Sequence, residues 1–378
     1  MKKIILAPDS FKGTMGSMEI CAIMRESIRK HYPRAEIIAI PIADGGEGSV
    51  DCFLQAMGGS REAATVRNPF GEDMRSFYGL LGDGRTAVVE MAACAGLPLV
   101  ENRKDPLRAT TYGVGELILA AARGGVKKII VGLGGSATND GGCGAACAAG
   151  VRFENSLGES FIPAGGTLKD IARIDTAGLD PILNGIEIVT MCDIDNPMIG
   201  PRGASYVFGP QKGATPVQAD ALEEGVIHLS EVIRRDLSMD LANVPGAGAA
   251  GAMGAGMLAF WGARLQMGID TVLDAVCFDD MLKSADLVIT GEGRIDGQTL
   301  SGKAVVGVAR RARGAGIPVI AIVGDIGDGV EPVYAEGVSS IISINRAAVD
   351  FSLARLRSRK DLALTVDNLM RFYRSMEK

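Results

Sequence analysis

Residues 127–142 read KKIIVGLGGSATNDGG and join a short β-branched run to a loop rich in glycine. The run predicts a buried strand that ends near Val131, and the glycines after it predict a sharp turn. Glycine lets a backbone approach a ligand closely and adopt positive φ, and successive N–H groups in such a turn form a concavity suited to phosphate. The stretch therefore predicts a polyanion site at the end of a parallel strand, with a ligand-free strand-to-helix turn as the alternative.

The composition indicates a globular chain without a basic field. The length of 378 residues is enough for two domains. Hydrophobic residues make up 47% of the chain and charged residues 22%, as in a globular protein. A formal net charge of −6 excludes an extended basic surface for nucleic acid or an anionic membrane, so any phosphate site must be local. With two histidines and no CxxC among seven cysteines, we expect buried reduced thiols rather than a histidine-based triad, a zinc ribbon or a disulfide framework.

Neither of two apolar stretches predicts export or membrane insertion. The N-terminal run ends at Pro8-Asp9, which is too short for a signal peptide. Residues 244–263 carry no charge but are mostly glycine and alanine, which favours a glycine-rich loop followed by a packed helix over a membrane span. We therefore expect a cytoplasmic protein.

Hydrophobic periodicity predicts two α/β domains, one inserted into the other. Strands and helices alternate from Lys3 to about residue 57, as in a parallel sheet covered by helices. Two runs, 75–81 and 86–91, then flank Gly82-Asp83-Gly84, which is a hairpin signal. Alternation returns from about Asp286. The prediction is a discontinuous parallel α/β domain of residues 1–65 and 283–378, interrupted by a mixed α/β domain of residues 66–282.

Acidic residues recur just past the predicted strands. Ligands of open parallel sheets bind outside the carboxyl ends of the strands, and helix capping is the alternative role for an acid there. We expect two or three of these acids to meet in a cleft between the domains. They are Asp9, Asp44, Asp193, Glu292 and Asp325, with Asp140 a little further from its strand.

Phosphoryl transfer is the chemistry that these loops favour. Carboxylates with few histidines suit Mg²⁺, which prefers oxygen ligands and brings phosphates with it. The reaction also needs cationic or amide donors and a carboxylate that takes the hydroxyl proton. Cationic candidates in loops are Lys12, Lys212, Arg294 and Lys303, each of which could instead be a solvated surface residue.

Two shorter motifs suggest other functions. Gly132-x-Gly134-x-x-Ala137, with Glu154 about 17 residues beyond it, fits a dinucleotide fingerprint and would indicate an NAD-dependent dehydrogenase. Gly297-x-x-x-x-Gly302-Lys303 nearly matches a P-loop, but Ala304 stands where that motif has Ser or Thr. We interpret neither as a family signature, and a non-catalytic sugar-acid sensor is a third hypothesis.

Eight blocks of sequence, in matching order, resemble the bacterial type I glycerate kinases from near Lys3 to about Asp325. They are APDSFKGT (7–14), PIADGGEGSV (41–50), EMAACAGLP (90–98), GLGGSATNDGGC (132–143), CDIDNPM (192–198), FGPQKGAT (208–215), PGAGAAGAMGA (245–255) and LVITGEGRIDGQTL (287–300).

The resemblance implies a fold and an activity. The fold is a flavodoxin-like domain interrupted by a second α/β domain, with the active site in the cleft between them. The activity is phosphorylation of D-glycerate by ATP with Mg²⁺, giving 2-phosphoglycerate, in glyoxylate, allantoin, galactarate or glucarate breakdown. A 3-phosphoglycerate-forming kinase, or a kinase of another small hydroxy acid, is the alternative. The implied partners are D-glycerate and ATP, with a homodimer as the candidate assembly and no nucleic acid or membrane.

Within that activity, chemistry suggests a role for each candidate residue. The general base is Asp193, with Asp44 as second choice, and Arg294 or Lys12 binds the substrate carboxylate. Lys212 or Lys303 offsets charge on the transferring phosphoryl group. The loop binds nucleotide phosphates through Gly134, Gly135, Ser136, Thr138 and Asn139, and the candidates for Mg²⁺ are Asp140, Glu292 and Asp296.

Overall fold

The computed structural model describes residues 1–301 and 304–377. In chain order its strands are β1 (Lys3–Pro8), β2 (Glu36–Ala39), β3 (Gly59–Arg67), β4 (Asp73–Leu81), β5 (Thr86–Glu90), β6 (Lys128–Gly132), β7 (Arg152–Glu154), β8 (Ser160–Phe161), β9 (Arg173–Asp175), β10 (Glu187–Met191), β11 (Arg264–Gln266), β12 (Leu287–Gly291), β13 (Arg294–Ile295), β14 (Val319–Val323), β15 (Asp325–Ile326) and β16 (Val338–Ser343).

The α-helices, again in chain order, alternate with these strands over most of the described chain. They are α1 (Ser17–Arg29), α2 (Ser49–Met57), α3 (Ala92–Ala95), α4 (Tyr112–Arg123), α5 (Cys143–Ala148), α6 (Ala204–Phe208), α7 (Pro216–Leu237), α8 (Ala249–Trp261), α9 (Gly268–Ala275), α10 (Phe278–Leu282), α11 (Ala304–Gly314), α12 (Pro332–Ala335) and α13 (Phe351–Met376).

One sheet is parallel and has the flavodoxin-like strand order. In the described part of the chain it has five strands in the order β16-β14-β12-β1-β2, which is 2-1-3-4-5 when its strands are numbered along the chain. Ile4, Ile5 and Leu6 of β1 are all fully buried, so both faces of the sheet are covered. On one face, α1 packs against α13. The predicted parallel domain, made of two separated segments, is confirmed.

The second sheet is mixed. Over the described residues it contains six strands in the order β11-β10-β6-β5-β4-β3. Strands β5, β6, β10 and β11 are parallel, and β4 runs antiparallel to both β3 and β5. The helix α7, which lies in the same part of the chain, begins with a capping box between Thr215 and Gln218 and has Pro216 at its first position. The inserted mixed α/β fold is confirmed.

The chain divides into two compact units. The parallel-sheet unit contains Met1–Ala43, Gln55–Met57 and Ile269–Lys378, and the mixed-sheet unit contains Asp44–Leu54 and Gly58–Gly268. These limits differ from the predicted segments, because β3 pairs with β4 along its whole length and so joins the mixed sheet from Gly59 rather than from residue 66. The sequence of β3 alternates weakly between apolar and polar residues, which is why it was not predicted as a strand.

The glycine- and alanine-rich segment forms a helix, as predicted, but with an unusual first turn. Within α8, Ala250, Gly251 and Ala252 have φ of 56°, 71° and 65°, in the left-handed region. Consecutive left-handed residues are rare because the Cβ atom of an L-residue crowds the backbone there. Among the described helices, none is both long enough and apolar enough to cross a membrane.

Candidate active site

The parallel sheet brings two charged loops together at its switch point. Strands β1 and β12 are neighbours, and strand order reverses between them, which is where open α/β sheets bind ligands. Asp9 N donates to Gly291 O at 2.8 Å. A Cβ atom at Gly293 would lie 3.2 Å from Lys12 N, so a glycine there lets the two loops touch.

Arg294 forms ion pairs with two acids in this region, Asp296 and Asp325. The β13–β15 pairing places it opposite Asp325, and its guanidinium lies 3.4 Å from an Asp296 carboxylate oxygen and 3.7 Å from an Asp325 one. The Arg294 side chain is 62% exposed, whereas Glu292 is buried and accepts a hydrogen bond from Thr299 Oγ1 at 2.7 Å. We call this set the switch-point cluster: Asp9, Lys12, Glu292, Arg294, Asp296 and Asp325.

In the mixed-sheet unit, two glycine-rich loops press against each other at the end of β6. Gly134 N donates to Gly45 O at 2.9 Å. A Cβ atom at Gly132 would lie 2.3 Å from Gly45 O, and one at Gly134 would lie 2.5 Å from Gly46 Cα. Only residues without side chains permit this approach. Gly135 follows with a φ of 74° and is exposed, so backbone of this junction reaches the surface, which suits a phosphate site.

Both candidate bases lie at this edge of the mixed sheet. A Cβ atom at Gly45 would lie 3.1 Å from Met191 Cβ, so the loop that carries Asp44 contacts the end of β10, and Asp193 follows that strand by two residues. Asp44 Oδ1 accepts a hydrogen bond from Gly46 N at 3.0 Å, and Asp193 Oδ1 accepts one from Gly268 N at 2.6 Å. Both residues are exposed. We call Asp44, Gly134, Gly135 and Asp193 the glycine-loop cluster.

Asp140 has a different environment from these exposed acids. It is fully buried, and its Oδ2 atom accepts hydrogen bonds from Thr110 Oγ1, from both N and Oγ1 of Thr111, and from Gly144 N, while Oδ1 accepts one from Gly142 N. Burial raises the pKa of this carboxyl group, and the hydrogen bonds oppose the shift. These contacts favour a structural role at the start of α4 and α5, so Mg²⁺ binding by Asp140 stays a prediction without geometric support.

The far half of the loop is also interior. Thr138 and Asn139 are fully buried and Ser136 nearly so. Lys212 is 1% exposed, and its Nζ donates to Thr138 O at 2.6 Å. Lys212 therefore contacts the loop from the protein interior rather than from solvent. Lys303, the other predicted phosphate-binding lysine, lies outside the described residues.

Glu90 is a buried acid beside the candidate site that the sequence did not indicate. It ends β5 and is 2% exposed. Its carboxylate accepts hydrogen bonds from Gly48 N and Val50 N at the start of α2, and burial raises its pKa. It thereby holds the loop that carries Asp44. The predicted strand, residues 86–91, included Glu90, so this acid was not recognised as one that lies at the end of a strand.

The carboxylates of the described residues could bind Mg²⁺ only if substrate phosphates supplied further ligands. Within residues 1–301 and 304–377, no three His, Cys, Asp or Glu side chains are grouped so as to hold a metal ion. Mg²⁺ at kinase sites needs only one or two carboxylates, because substrate phosphates and water complete its coordination. Glu292 and Asp296 in the switch-point cluster match that requirement in residue type.

Comparison with known proteins identifies the family. The sequence model of the Glycerate kinase family matches residues 4–374. A glycerate kinase of Halalkalibacterium halodurans is 45% identical over 345 residues, 91% of each chain. The glycerate 2-kinase of Escherichia coli K12 is 43% identical over 343 residues, 90% of each chain. A crystal structure from Salmonella typhimurium LT2, assigned as glycerate kinase 2, superposes with a TM-score of 0.88 at 40% identity, covering 100% of this chain and 99% of its own.

These similarities and the two-sheet fold define an α/β phosphotransferase with an alcohol group as acceptor. The chain belongs to the glycerate kinase family. The resemblance seen in the eight sequence blocks is thus confirmed, and the dehydrogenase and sensor hypotheses gain no support from any of these relatives.

Proposed function

We propose that this enzyme transfers the γ-phosphoryl group of ATP to oxygen 2 of D-glycerate, giving 2-phosphoglycerate and ADP, with Mg²⁺ as cofactor. The observation that carries the choice of oxygen 2 is the 43% identity over 90% of the chain with an enzyme named glycerate 2-kinase. Glyoxylate, allantoin, galactarate or glucarate breakdown in the cytoplasm is the proposed setting. Phosphorylation at oxygen 3 is the competing outcome.

The glycine-loop cluster is the proposed phosphate-binding surface. The backbone at Gly134 and Gly135 reaches the surface, with the Gly134 N–H donating to Gly45 O and Gly135 exposed, whereas Thr138 and Asn139 are buried. We therefore assign phosphate contact to the near half of the loop and support of its shape to the far half. When bound, Mg²⁺ would neutralise charge on the phosphates, and Glu292 and Asp296 are the residues that would hold it.

Asp193 is the proposed general base. As the bond between oxygen 2 and phosphorus forms and the bond from phosphorus to ADP breaks, the hydroxyl proton passes to a carboxylate oxygen. Asp193 is exposed at the end of β10, and the Gly268 N–H holds one of its oxygens. Asp44, held similarly by Gly46 N, is the second candidate.

Arg294 is the proposed ligand of the substrate carboxylate. An exposed guanidinium suits bidentate recognition of a carboxylate, and the flanking Asp296 and Asp325 hold it in place. Lys12, on the adjoining loop, is the alternative.

The test of this proposal is ADP release from ATP and Mg²⁺ with D-glycerate, set beside L-glycerate, glycolate, lactate and tartronate. We expect turnover confined to D-glycerate. Turnover with a different acid would keep phosphoryl transfer and overturn the substrate, and NADH formation from any of these acids without ATP would overturn the kinase assignment itself.

A further inference from the structure

Lys212 lies in an unusual position for a lysine. It ends a short 3-10 helix, Pro210–Lys212, and Gly213 follows it in the left-handed region with a φ of 98°. The side chain is among the largest that are fully buried in the described residues. Lysine is almost never fully buried unless its ammonium group is paired, because burial removes the hydration of the charge.

The buried amine contacts the backbone of the glycine-rich loop. Lys212 Nζ donates to Thr138 O at 2.6 Å. The same carbonyl is covered from another direction by Gly251, where a Cβ atom would lie 2.1 Å from Thr138 O. Thr138 Oγ1 and Asn139 Oδ1 are buried without a hydrogen-bond partner in the structure. Lys212 thus holds this half of the loop through its backbone, while Asn139 Nδ2 makes a longer contact with Ser205 Oγ at 3.4 Å.

Burying the ammonium group of Lys212 removes its hydration and so lowers the free energy of unfolding. Burial lowers the pKa of Lys212 to about 7, and the nearby Asp140 opposes that shift. Asp140 does not depend on Lys212 for partners, since its oxygens already accept hydrogen bonds from Thr110, Thr111, Gly142 and Gly144. An apolar side chain of similar length would fill the space without the desolvation cost. Stability alone therefore does not account for a lysine at this position.

We propose that Lys212 is a positioning residue for phosphoryl transfer, which holds the Thr138 carbonyl so that the near half of the loop, Gly134 and Gly135, keeps the conformation that binds nucleotide phosphate. The proposal rests on the function proposed above. It replaces the predicted role of Lys212 as a direct phosphate ligand, because its amine is committed to the loop backbone and shielded from solvent.

The test compares Lys212→Met with Lys104→Met as the matched control. Lys104 is exposed, and its Nζ also donates to a backbone carbonyl of this turn, Gln211 O, at 3.2 Å. For Lys212→Met we expect a melting temperature within about 4 °C of the parent, a drop in kcat/KM for ATP of at least about 20-fold, and a KM for D-glycerate changed less than about threefold. For Lys104→Met we expect parental kinetics.

Hydrogen exchange of the loop is the second readout. In Lys212→Met, amides of residues 134–142 should exchange at least about tenfold faster, while those of β6 stay unchanged. A merely structural lysine would instead lower the melting temperature and leave kcat/KM per folded molecule intact. If the methionine variant does not fold, Lys212→Gln, whose side chain is polar but one bond too short to place its N–H group where the Lys212 amine donates to Thr138 O, receives the same two measurements, and the same direction of change is expected.

The outcomes separate this proposal from the proposed function. Parental kcat/KM together with parental loop exchange in either variant would overturn the positioning role and leave the kinase assignment standing. Absence of ATP-dependent turnover in the parent enzyme would overturn the proposed function, whereas faster loop exchange in Lys212→Met would still support the role of Lys212 in holding the loop.

Discussion

At the scale of single residues, burial separates groups that can meet a substrate from groups that hold the loops in place. Asp44, Asp193 and Arg294 are exposed at strand ends. Asp140 and Lys212, from similar glycine-rich segments, are buried and hydrogen-bonded to backbone groups. The exposed set is accessible to a small substrate, and the buried set supports the loop that we propose as the phosphate-binding surface.

Removing the proposed base should abolish turnover without removing nucleotide binding. Asp193→Asn keeps the acceptor for Gly268 N but cannot take a proton, so we expect kcat to fall about 10²- to 10⁴-fold, with the affinity for ATP nearly unchanged. The control is Asp195→Asn on the same loop, an exposed residue paired with Arg202 at 3.0 Å. Near-normal kcat in Asp193→Asn would exclude it as the base and favour Asp44.

Lys212 should make stability depend on pH in a defined direction. Its folded pKa of about 7 is below the ordinary value of 10.5 for a solvated lysine. Between these values the unfolded chain holds a proton that the native chain has released, so raising the pH favours the native state. Urea unfolding at pH 7 to 9.5 should show the parent gaining roughly 1 kcal/mol per pH unit relative to Lys212→Met. A difference that is flat over this range would contradict a buried, titrating Lys212.

Loss of Glu90 should destabilise the start of α2. In Glu90→Ala the amides of Gly48 and Val50 lose their acceptor in a buried setting, at a cost of about 3 kcal/mol. Glu47→Ala, an exposed change on the same loop, is the control and should cost less than about 0.5 kcal/mol. Equal unfolding midpoints in urea for the two variants would argue against the anchoring role of Glu90.

At the level of strands and helices, the ends of neighbouring strands place site residues at one edge of the sheet. The packing of the loops there sets the distances between those residues. The ends of β6 and β10 lie side by side, and the loop that precedes α2 crosses them through Gly45 and Gly46. The left-handed turn at the start of α8 then supports the glycine-rich loop, with Gly141 N donating to Gly251 O at 3.0 Å. Close backbone packing, rather than long side chains, fixes this edge.

That turn should tolerate glycine but not a new side chain at its centre. In Gly251→Ala the added Cβ would meet Thr138 O at 2.1 Å, and we expect a loss of more than about 3 kcal/mol in the free energy of unfolding. Ala250→Gly, in contrast, relieves a left-handed alanine with a φ of 56° and should change stability by no more than about 1 kcal/mol. Thermal unfolding of both variants checks this, and similar effects would contradict the packing described.

For the chain as a whole, the order of strands and helices and the family could be predicted from the sequence. Which residues of the candidate site are exposed and which are buried could not. Alternating apolar runs predicted the parallel sheet, and the Gly82-Asp83-Gly84 turn predicted the antiparallel part. The strand β3 was missed because most of it is exposed, so that apolar and polar residues alternate only weakly along it. The interior positions of Asp140 and Lys212 could not be read from the chain, because a glycine-rich loop gives no signal for which of its sides faces solvent.

Phosphorus NMR of the product formed from ATP, Mg²⁺ and D-glycerate shows which oxygen of glycerate receives the phosphoryl group. Transfer to oxygen 2 predicts a phosphate ester resonance split into a doublet by the single methine proton of 2-phosphoglycerate, with equimolar ADP. A triplet from coupling to the methylene protons would show 3-phosphoglycerate and contradict the proposed position of transfer. No new ester resonance, with ATP unchanged, would contradict the proposed kinase reaction with D-glycerate.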